Sequence, residues 1–264
     1  MTLFLALGVV TLCSADAQAA VKTETVHYQD GGTVLEGVVA YDDLPSAPRP
    51  GVLVVHEWMG LGEYATRRAE QLAQLGYVAL AVDMYGKGVR AKDHTEAAEL
   101  SGVYRKDRAL MRGRILAALE TLRRNPLVDA ERIAAIGYCF GGTTVLELAR
   151  SGADVLGVAS FHGALDTPAP EDAKQIKGKV LILQGGSDPY TIDQVPAFEQ
   201  EMKQAGVDYT LIIYDGAAHS FTVPGAGSDK STGAAYDADA DKRSWETLQE
   251  FLKGLFGPRT SHIG

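Results

Sequence analysis

The sequence of 264 residues predicts a doubly wound α/β domain, with a mostly parallel sheet and helices on both faces. Three observations lead to this prediction. From Val34 onward, short β-branched runs alternate with longer helical stretches. Several of the runs are apolar throughout, as expected of strands that are buried on both faces. Because no composition shift, linker or internal repeat interrupts the alternation, residues 20–264 are expected to form one domain.

The predicted strands are short apolar runs. Gly51–His56 is continuously apolar, and the run Tyr77–Val82 ends at the polar residue Asp83. In chain order the predicted strands are Val34–Ala40 at an edge of the sheet, Gly51–His56, Tyr77–Val82, Arg132–Tyr138, Val155–Phe161, Val180–Gln184 and Tyr209–Tyr214.

The predicted helices lie between these strands. Glu63–Leu75 has helical periodicity and stops at Gly76, and the highly charged stretch His94–Arg124 is expected to break near Asn125-Pro126. The remaining predicted helices are Gly141–Arg150, Thr191–Ala205 and Ala240–Leu255. Residues 86–90 and 222–241 are expected to be loops.

Composition excludes several classes of function. With 25 Lys and Arg against 34 Asp and Glu, the net charge is −9, which argues against nucleic acid or an anionic membrane as a partner. Two cysteines exclude a disulfide scaffold, and no residue cluster has the spacing of zinc ligands. His56-Glu57 lacks a second histidine because Gly60 occupies that position, so the zinc-protease motif is absent. We expect neither a metal nor an organic cofactor.

The N-terminus resembles a signal peptide. Thr2 to Leu12 form an apolar run that is too short to span a membrane, and Ala17-Gln18-Ala19 fits a cleavage site. No Lys or Arg precedes the run, so a packed N-terminal strand or helix is the alternative. Cleavage after Ala19 would predict an exported protein in which Cys139 is the only cysteine.

One segment has the form of a nucleophile-bearing turn. Gly137-Tyr138-Cys139-Phe140-Gly141-Gly142 stands between a predicted strand and a predicted helix, in the pattern G-x-S-x-G with Cys in place of Ser. Side chains at the outer glycines would clash in so tight a turn. The helix N-terminus favours a thiolate, and the N–H of Phe140 could bind an oxyanion. Alternatively, Cys139 is a small core residue beside packing glycines.

Two further residues complete a candidate catalytic triad. Asp188 follows the strand Val180–Gln184, and His219 follows the strand Tyr209–Tyr214. The order nucleophile, acid, histidine is that of the α/β-hydrolase fold, which narrows the fold prediction. In this interpretation His219 accepts the thiol proton and Asp188 fixes its tautomer. A turn aspartate and a solvated loop histidine are the alternatives.

Other polar residues follow predicted strands. Glu57 would enter the cleft near Cys139, where a carboxylate opposes thiolate formation unless it takes a proton or pairs with a cation. The N–H of Trp58 is expected to be the second oxyanion donor. Tyr85, Lys87 and Arg90 could line the rim of the pocket, although a solvated loop explains them equally well. His162 also follows a strand and could line the cleft, although a structural histidine is the expected interpretation.

At these positions the sequence resembles the dienelactone hydrolase family. The motifs are Val55-His56-Glu57, Asp83-Met84-Tyr85, Gly137-Tyr138-Cys139-Phe140-Gly141-Gly142, Gly186-Ser187-Asp188 and Gly216-Ala217-Ala218-His219-Ser220-Phe221, and the resemblance covers about Thr25 to Phe256. It implies a triad of Cys139, His219 and Asp188, activation of the thiol by Glu57, and cofactor-free hydrolysis of an ester or lactone through an acyl-enzyme.

The sequence departs from the family at two positions where members that cleave dienelactone hold the substrate carboxylate with arginine. Here these positions carry Lys87 and Val223, although Arg90 lies close to the first. Lysine lacks the bidentate fork of arginine, so dienelactone is not the expected substrate.

The expected function is therefore hydrolysis of a small ester or lactone, or of a thioester by the same triad. The alternatives are a non-catalytic binding module and a thiol-redox protein, and the second is disfavoured because the mature chain has no resolving cysteine. A monomer is favoured for the oligomeric state.

Overall fold

The computed structural model describes residues 20–43 and 48–257. The predicted signal peptide, residues 1–19, and its Cys13 lie outside the described residues. Eight strands of the described part of the chain form one sheet in the order β1-β2-β4-β3-β5-β6-β7-β8. The strands are β1 Val21–Asp30, β2 Thr33–Asp42, β3 Arg49–Val55, β4 Val78–Val82, β5 Val128–Tyr138, β6 Gly157–Phe161, β7 Lys179–Gly185 and β8 Tyr209–Tyr214. Strands β3 to β8 run parallel, whereas β1 and β2 are antiparallel to their neighbours.

The central strands are apolar because both of their faces are covered. All five residues of β4 and of β6 are buried. In β3, Leu53 and Val55 belong to the core on one face of the sheet, and Val52 and Val54 belong to the core on the other face. Each such side chain contributes about 1.5–3 kcal/mol on burial. These two cores fix the register of the strands and confirm the α/β-hydrolase fold.

The first strand was not predicted, and this corrects the position of the sheet edge. β1 pairs antiparallel with β2 along its whole length, so β2 is the second strand and not the edge strand. β1 carries mostly exposed polar residues, with Tyr28 as its buried residue. A strand with one open side and little covered surface needs few apolar residues, so it lacks the hydrophobic signal of the others.

Within residues 20–43 and 48–257, six α-helices flank the sheet. They are α1 Glu63–Gln74, α2 His94–Lys106, α3 Arg108–Arg123, α4 Phe140–Arg150, α5 Val195–Ala205 and α6 Ala238–Phe256. The single predicted helix His94–Arg124 is wrong, because Asp107 ends α2 and caps α3. The Asp107 carboxylate accepts the N–H of Leu110 at 2.9 Å, and an aspartate cap of this kind starts a new helix. Within the described residues, no helix has the length and apolarity to cross a membrane.

The parallel arrangement brings polar residues from distant positions together. In a parallel sheet, the carboxyl ends of the strands lie along one edge, where ligands bind in folds of this kind. The residues that follow β3, β5, β6, β7 and β8 therefore approach one another. They include Glu57, Cys139, His162, Asp188 and His219.

Candidate active site

Cys139 lies in a strained turn between β5 and α4. It has φ of 53° and ψ of −112°, a backbone conformation that a residue other than glycine rarely adopts. A Cβ at Gly137 would lie 2.0 Å from the carbonyl oxygen of Gly141, and one at Gly141 would lie 2.3 Å from the carbonyl oxygen of Val55. The two glycines are therefore required by the close approach of the backbone. The turn places Cys139 at the N-cap of α4, on the positive end of the helix dipole.

Three predicted residues are aligned by hydrogen bonds. The Sγ of Cys139 lies 3.1 Å from Nε2 of His219, and Nδ1 of His219 lies 2.7 Å from Oδ2 of Asp188. Cys139 is 7% exposed, so the sulfur lies at the surface of the cleft and not in the solvent. Because the two contacts use opposite ring nitrogens, the imidazole can exchange a proton with the thiol while the aspartate holds its other side.

Asp188 is fixed by its own neighbours. It is fully buried, and its carboxylate accepts the hydroxyl of Thr191 at 2.6 Å and the backbone N–H of Tyr190 at 2.9 Å. A buried carboxylate that accepts several hydrogen bonds keeps one orientation. Thr191 follows Asp188 by three positions, and no motif in the sequence indicated its role.

The environment of His219 favours its charged form. Burial opposes the positive charge, but the interactions with Cys139 and Asp188 outweigh burial and raise the pKa of His219 to about 10. The arrangement is therefore suited to an imidazolium beside a thiolate.

Glu57 lies beside this pair and contacts a residue that the sequence analysis did not single out. Its Oε1 accepts the hydroxyl of Ser220 at 3.1 Å. Burial raises the pKa of Glu57, although the charge of His219 and the hydrogen bond from Ser220 counteract part of the effect. Glu57 therefore takes up a proton more readily than an exposed glutamate does, which lessens the repulsion that a carboxylate would exert on a thiolate.

The two predicted oxyanion donors follow adjacent strands. β3 and β5 pair in parallel with Val55 opposite Gly137, and each candidate amide comes three residues later, at Trp58 and at Phe140. Phe140 is the first residue of α4, so its N–H has no intrahelical acceptor. Both amides thus lie just beyond the carboxyl ends of adjacent strands, as Cys139 does.

The three predicted rim residues differ in burial, because Tyr85 is buried whereas Lys87 and Arg90 are exposed. Tyr85 is buried, packs its ring at 5.5 Å from the ring of Phe140, and donates its hydroxyl to the carbonyl oxygen of Trp58 at 2.8 Å. Tyr85 thus supports the loop that carries the Trp58 amide.

The other two predicted rim residues, Lys87 and Arg90, are exposed and have different surroundings. Lys87 is exposed and pairs with Glu36 at 3.0 Å and with His27 at 2.9 Å, on the outer strands β1 and β2. These contacts hold the ammonium of Lys87 against β1 and β2, and its predicted place at the rim of the pocket stays a prediction. Arg90 is exposed and borders a depression of about 330 Å³ together with residues of α1 such as Arg67 and Glu70.

Three residues other than glycine adopt positive φ within the described parts of the chain, and all belong to this site. They are Cys139 at 53°, His162 at 40° and Ser220 at 55°. Strained backbone at clustered positions is typical of functional sites. His162 and Ser220 were visible in the sequence only as polar residues after a strand and after the candidate histidine.

The chain is similar to proteins of known family and structure. The family model described as "Dienelactone hydrolase family" matches residues 35–256. A solved structure described as m3DLH is 40% identical, has a TM-score of 0.87, and covers 90% of this chain and 99% of its own. A solved structure described as a dienelactone hydrolase-like promiscuous phosphotriesterase from metagenomic libraries is 41% identical and has a TM-score of 0.85. The match covers 90% of this chain and 100% of that structure's chain.

A curated relative from Bradyrhizobium sp. is described as a probable 2-oxo-3-(5-oxofuran-2-ylidene)propanoate lactonase. It is 29% identical over 255 residues, which is 91% of this chain and 99% of the relative.

Proposed function

The chain belongs to the dienelactone hydrolase family, and from this premise we propose that it is a cysteine-dependent hydrolase of small carboxylic esters or lactones that works through an acyl-enzyme. The observation that carries the proposal is the alignment of three groups. Sγ of Cys139 is 3.1 Å from Nε2 of His219, whose Nδ1 is 2.7 Å from Oδ2 of Asp188. A nucleophile, a base and an orienting carboxylate in this geometry are the parts that acyl transfer requires.

The first half of the reaction forms the acyl-enzyme. His219 takes the thiol proton, and the thiolate of Cys139 attacks the ester carbonyl carbon. The carbonyl oxygen becomes an oxyanion, which the N–H groups of Phe140 and Trp58 stabilise. When the intermediate collapses, the C–O bond of the ester breaks, and the imidazolium of His219 gives its proton to the leaving alkoxide.

The second half regenerates the enzyme. His219 accepts a proton from water, and the hydroxide attacks the thioester carbon of the acyl-enzyme. The C–S bond breaks, the carboxylic acid leaves and the thiolate takes back its proton. One ester and one water thus give one acid and one alcohol, without a metal or an organic cofactor. Throughout, Asp188 stabilises the charged ring.

Glu57 has a supporting role in this proposal. Because burial raises its pKa, Glu57 can hold a proton when the thiolate of Cys139 is present and release it when the charge moves to the substrate. Its hydrogen bond from Ser220, at 3.1 Å, keeps the carboxyl group in the cleft.

We further propose that the preferred substrates lack a carboxylate that must be held by the enzyme. Lys87 is held by Glu36 and His27 on the outer strands, and Val223 is apolar. Neither residue provides the bidentate donors that a substrate carboxylate requires.

The test is turnover of the purified protein on small esters, thioesters and lactones, with dienelactone included, before and after alkylation with iodoacetamide. We expect turnover that alkylation abolishes and that Cys139→Ala lacks, with neutral esters preferred over dienelactone. Turnover that survives alkylation of Cys139 would contradict a cysteine nucleophile. A lack of turnover from folded protein with a reactive Cys139 would favour a binding module.

Export is a separate proposal. It rests on the apolar run before residue 13 and on Ala17-Gln18-Ala19. Mass spectrometry of the protein recovered from the extracytoplasmic fraction of a bacterial host should give a chain that begins at Ala20. Recovery of the uncleaved chain from the cytoplasm would contradict it.

A further inference from the structure

His162 is a buried histidine that the proposed mechanism does not use. It is fully buried directly after β6, with a positive φ of 40°, and its N–H donates to the carbonyl oxygen of Leu183 at 2.9 Å. Its ring packs edge to face against the ring of His219, with centroids 5.2 Å apart and planes at 68°. A residue with a strained backbone persists only where its surroundings hold it, so the contacts of His162 need to be identified.

A directed chain of hydrogen bonds ends on this ring. Nε of Arg68 donates to the hydroxyl oxygen of Tyr64 at 3.1 Å, and that hydroxyl makes the shorter of its two contacts with Oγ1 of Thr222, at 2.7 Å. Oγ1 of Thr222 lies 2.8 Å from Nε2 of His162. A guanidinium can only donate, so the proton of Tyr64 points to Thr222, and with that proton on Oγ1 the hydroxyl of Thr222 is free to donate to Nε2. In that direction Nε2 accepts and carries no proton, so the proton of His162 lies on Nδ1, a buried atom that has no hydrogen-bond partner among the described residues.

The chain of hydrogen bonds begins at the guanidinium of Arg68, which its neighbours hold in place. Arg68 of α1 is 7% exposed, forms an ion pair with Asp241 of α6, and has its guanidinium over the rings of Tyr64, Tyr138 and Trp245. Arg68 also donates to the carbonyl oxygen of Thr222 at 3.3 Å. Two helices thus hold the threonine that contacts His162.

The surroundings of His162 keep it neutral. Burial lowers its pKa, and the positive charges of His219 and Arg68 lower it further. The groups that face His162 are His219 and Phe221 after β8, Tyr138 of β5 and Thr222, with Arg68 of α1 behind them. The groups that face His219 are Cys139, Asp188, Glu57, Tyr190 and His162.

We propose that His162 is a positioning residue for His219, and that Thr222, Tyr64 and Arg68 hold it as the neutral tautomer with its proton on Nδ1. This role rests on the proposed function, because it serves the base of that same site. A neutral ring in this place supports an imidazolium without repelling it. It also prevents the ring of His219 from turning away from Cys139.

The tautomer can be read directly in the resting protein. Long-range ¹H–¹⁵N correlation spectra of the imidazole nitrogens, with His162 assigned from a His162→Gln variant, should show Nε2 as the unprotonated nitrogen between pH 6 and 8. Thr222→Ser keeps the hydroxyl and should preserve this pattern, whereas Thr222→Val, which has a similar shape without the hydroxyl, should change it. A proton on Nε2 in the wild-type protein would overturn the proposal.

Kinetics on the preferred ester provide the second readout. Thr222→Val should lower kcat by about 10-fold to 100-fold with little change in KM, because a small misplacement of the base slows the chemical step without weakening binding. Thr222→Ser should stay within about 2-fold of wild type. Equal kcat values for folded Thr222→Val and Thr222→Ser would overturn the proposal.

The test also covers a Thr222→Val variant that does not fold and a wild-type protein that shows no turnover. If Thr222→Val does not fold, Tyr64→Phe interrupts the same chain one step earlier, and an unchanged kcat and tautomer in that variant would overturn the proposal. If the wild-type protein turns over no ester, the proposed function fails. In that case the tautomer of His162 still decides whether the hydrogen-bond chain is directed as inferred.

Discussion

The turn at Cys139 depends on two glycines close to it in the sequence, whereas the histidine loop, residues 215–237, is held by residues far away in the sequence. Gly137 and Gly141, two positions on either side of Cys139, allow the backbone to approach within distances that any Cβ would block. In the histidine loop, Tyr64 reaches Thr222 across 158 positions, and Glu57 reaches Ser220 across 163. Steric constraints in the turn therefore fix the position of the nucleophile Cys139, whereas tertiary contacts fix the position of the base His219.

The largest effect is expected from a substitution that breaks the turn. In Gly137→Ala the new Cβ would lie 2.0 Å from the carbonyl oxygen of Gly141, which is backbone and cannot move aside. We expect loss of the fold, or a loss of more than about 4 kcal/mol in the free energy of unfolding, measured by urea denaturation.

A matched control uses a glycine with open space around it. Gly102 lies inside α2 and has nothing within 4 Å of an added Cβ. Gly102→Ala should stabilise the protein by about 0.5–1 kcal/mol. Similar urea midpoints for the two variants would contradict a turn that is held by backbone proximity.

A second, smaller effect is expected where the histidine loop meets Asp188. In Asp188→Asn the amide keeps the size of the side chain but no longer stabilises a charged His219. We expect kcat/KM to fall by about 10²-fold to 10⁴-fold while the protein stays folded. Asp193→Asn, at an exposed position nearby, is the control and should keep wild-type activity. A fall of less than 2-fold for Asp188→Asn would show that His219 is oriented by other groups.

The smallest of the three effects concerns Glu57, which links the end of β3 to the histidine loop. Its pKa is raised by burial, so the folded protein loses stability as Glu57 ionises. This loss of stability is absent below the pKa of Glu57 in the unfolded chain, near 4.5, and is complete above the pKa of Glu57 in the folded protein. Glu57→Gln should therefore raise the melting temperature at pH 8 but not at pH 4, and should lower kcat/KM by about 10-fold.

The control for Glu57 is Glu250→Gln at an exposed position of α6. It should change neither the melting temperature nor the activity. If Glu57→Gln destabilises the protein at pH 8, burial does not dominate the energetics of that carboxyl group.

The same contrast explains what the sequence could predict. The central strands, the glycine turn and the order of Cys139, Asp188 and His219 follow from apolar runs and short motifs, which are local signals. Ser220 and Thr222 stand next to the candidate histidine, but their partners are set by the packing of α1 and β3 against the loop. No spacing in the sequence encodes such contacts.

The unpredicted strand β1 also bears on one predicted rim residue. β1 is a polar edge strand, so it gave no hydrophobic signal. Lys87 was assigned to the pocket rim, yet one of its partners, His27, lies on that strand. The unpredicted strand therefore hid one of the two partners of Lys87, the other being Glu36 on β2. The break between α2 and α3 has a local signal in Asp107, a good helix cap, which the charged pattern of the surrounding stretch obscured.

The central claim is that Cys139 becomes acylated during turnover. The direct measurement is acid quenching of the protein within milliseconds of mixing with its preferred ester, followed by intact-mass and peptide-mass analysis. We expect a mass increase equal to the acyl group, located on the peptide that contains Cys139 and absent from Cys139→Ala. An acyl group on another residue, or full turnover by Cys139→Ala, would contradict it.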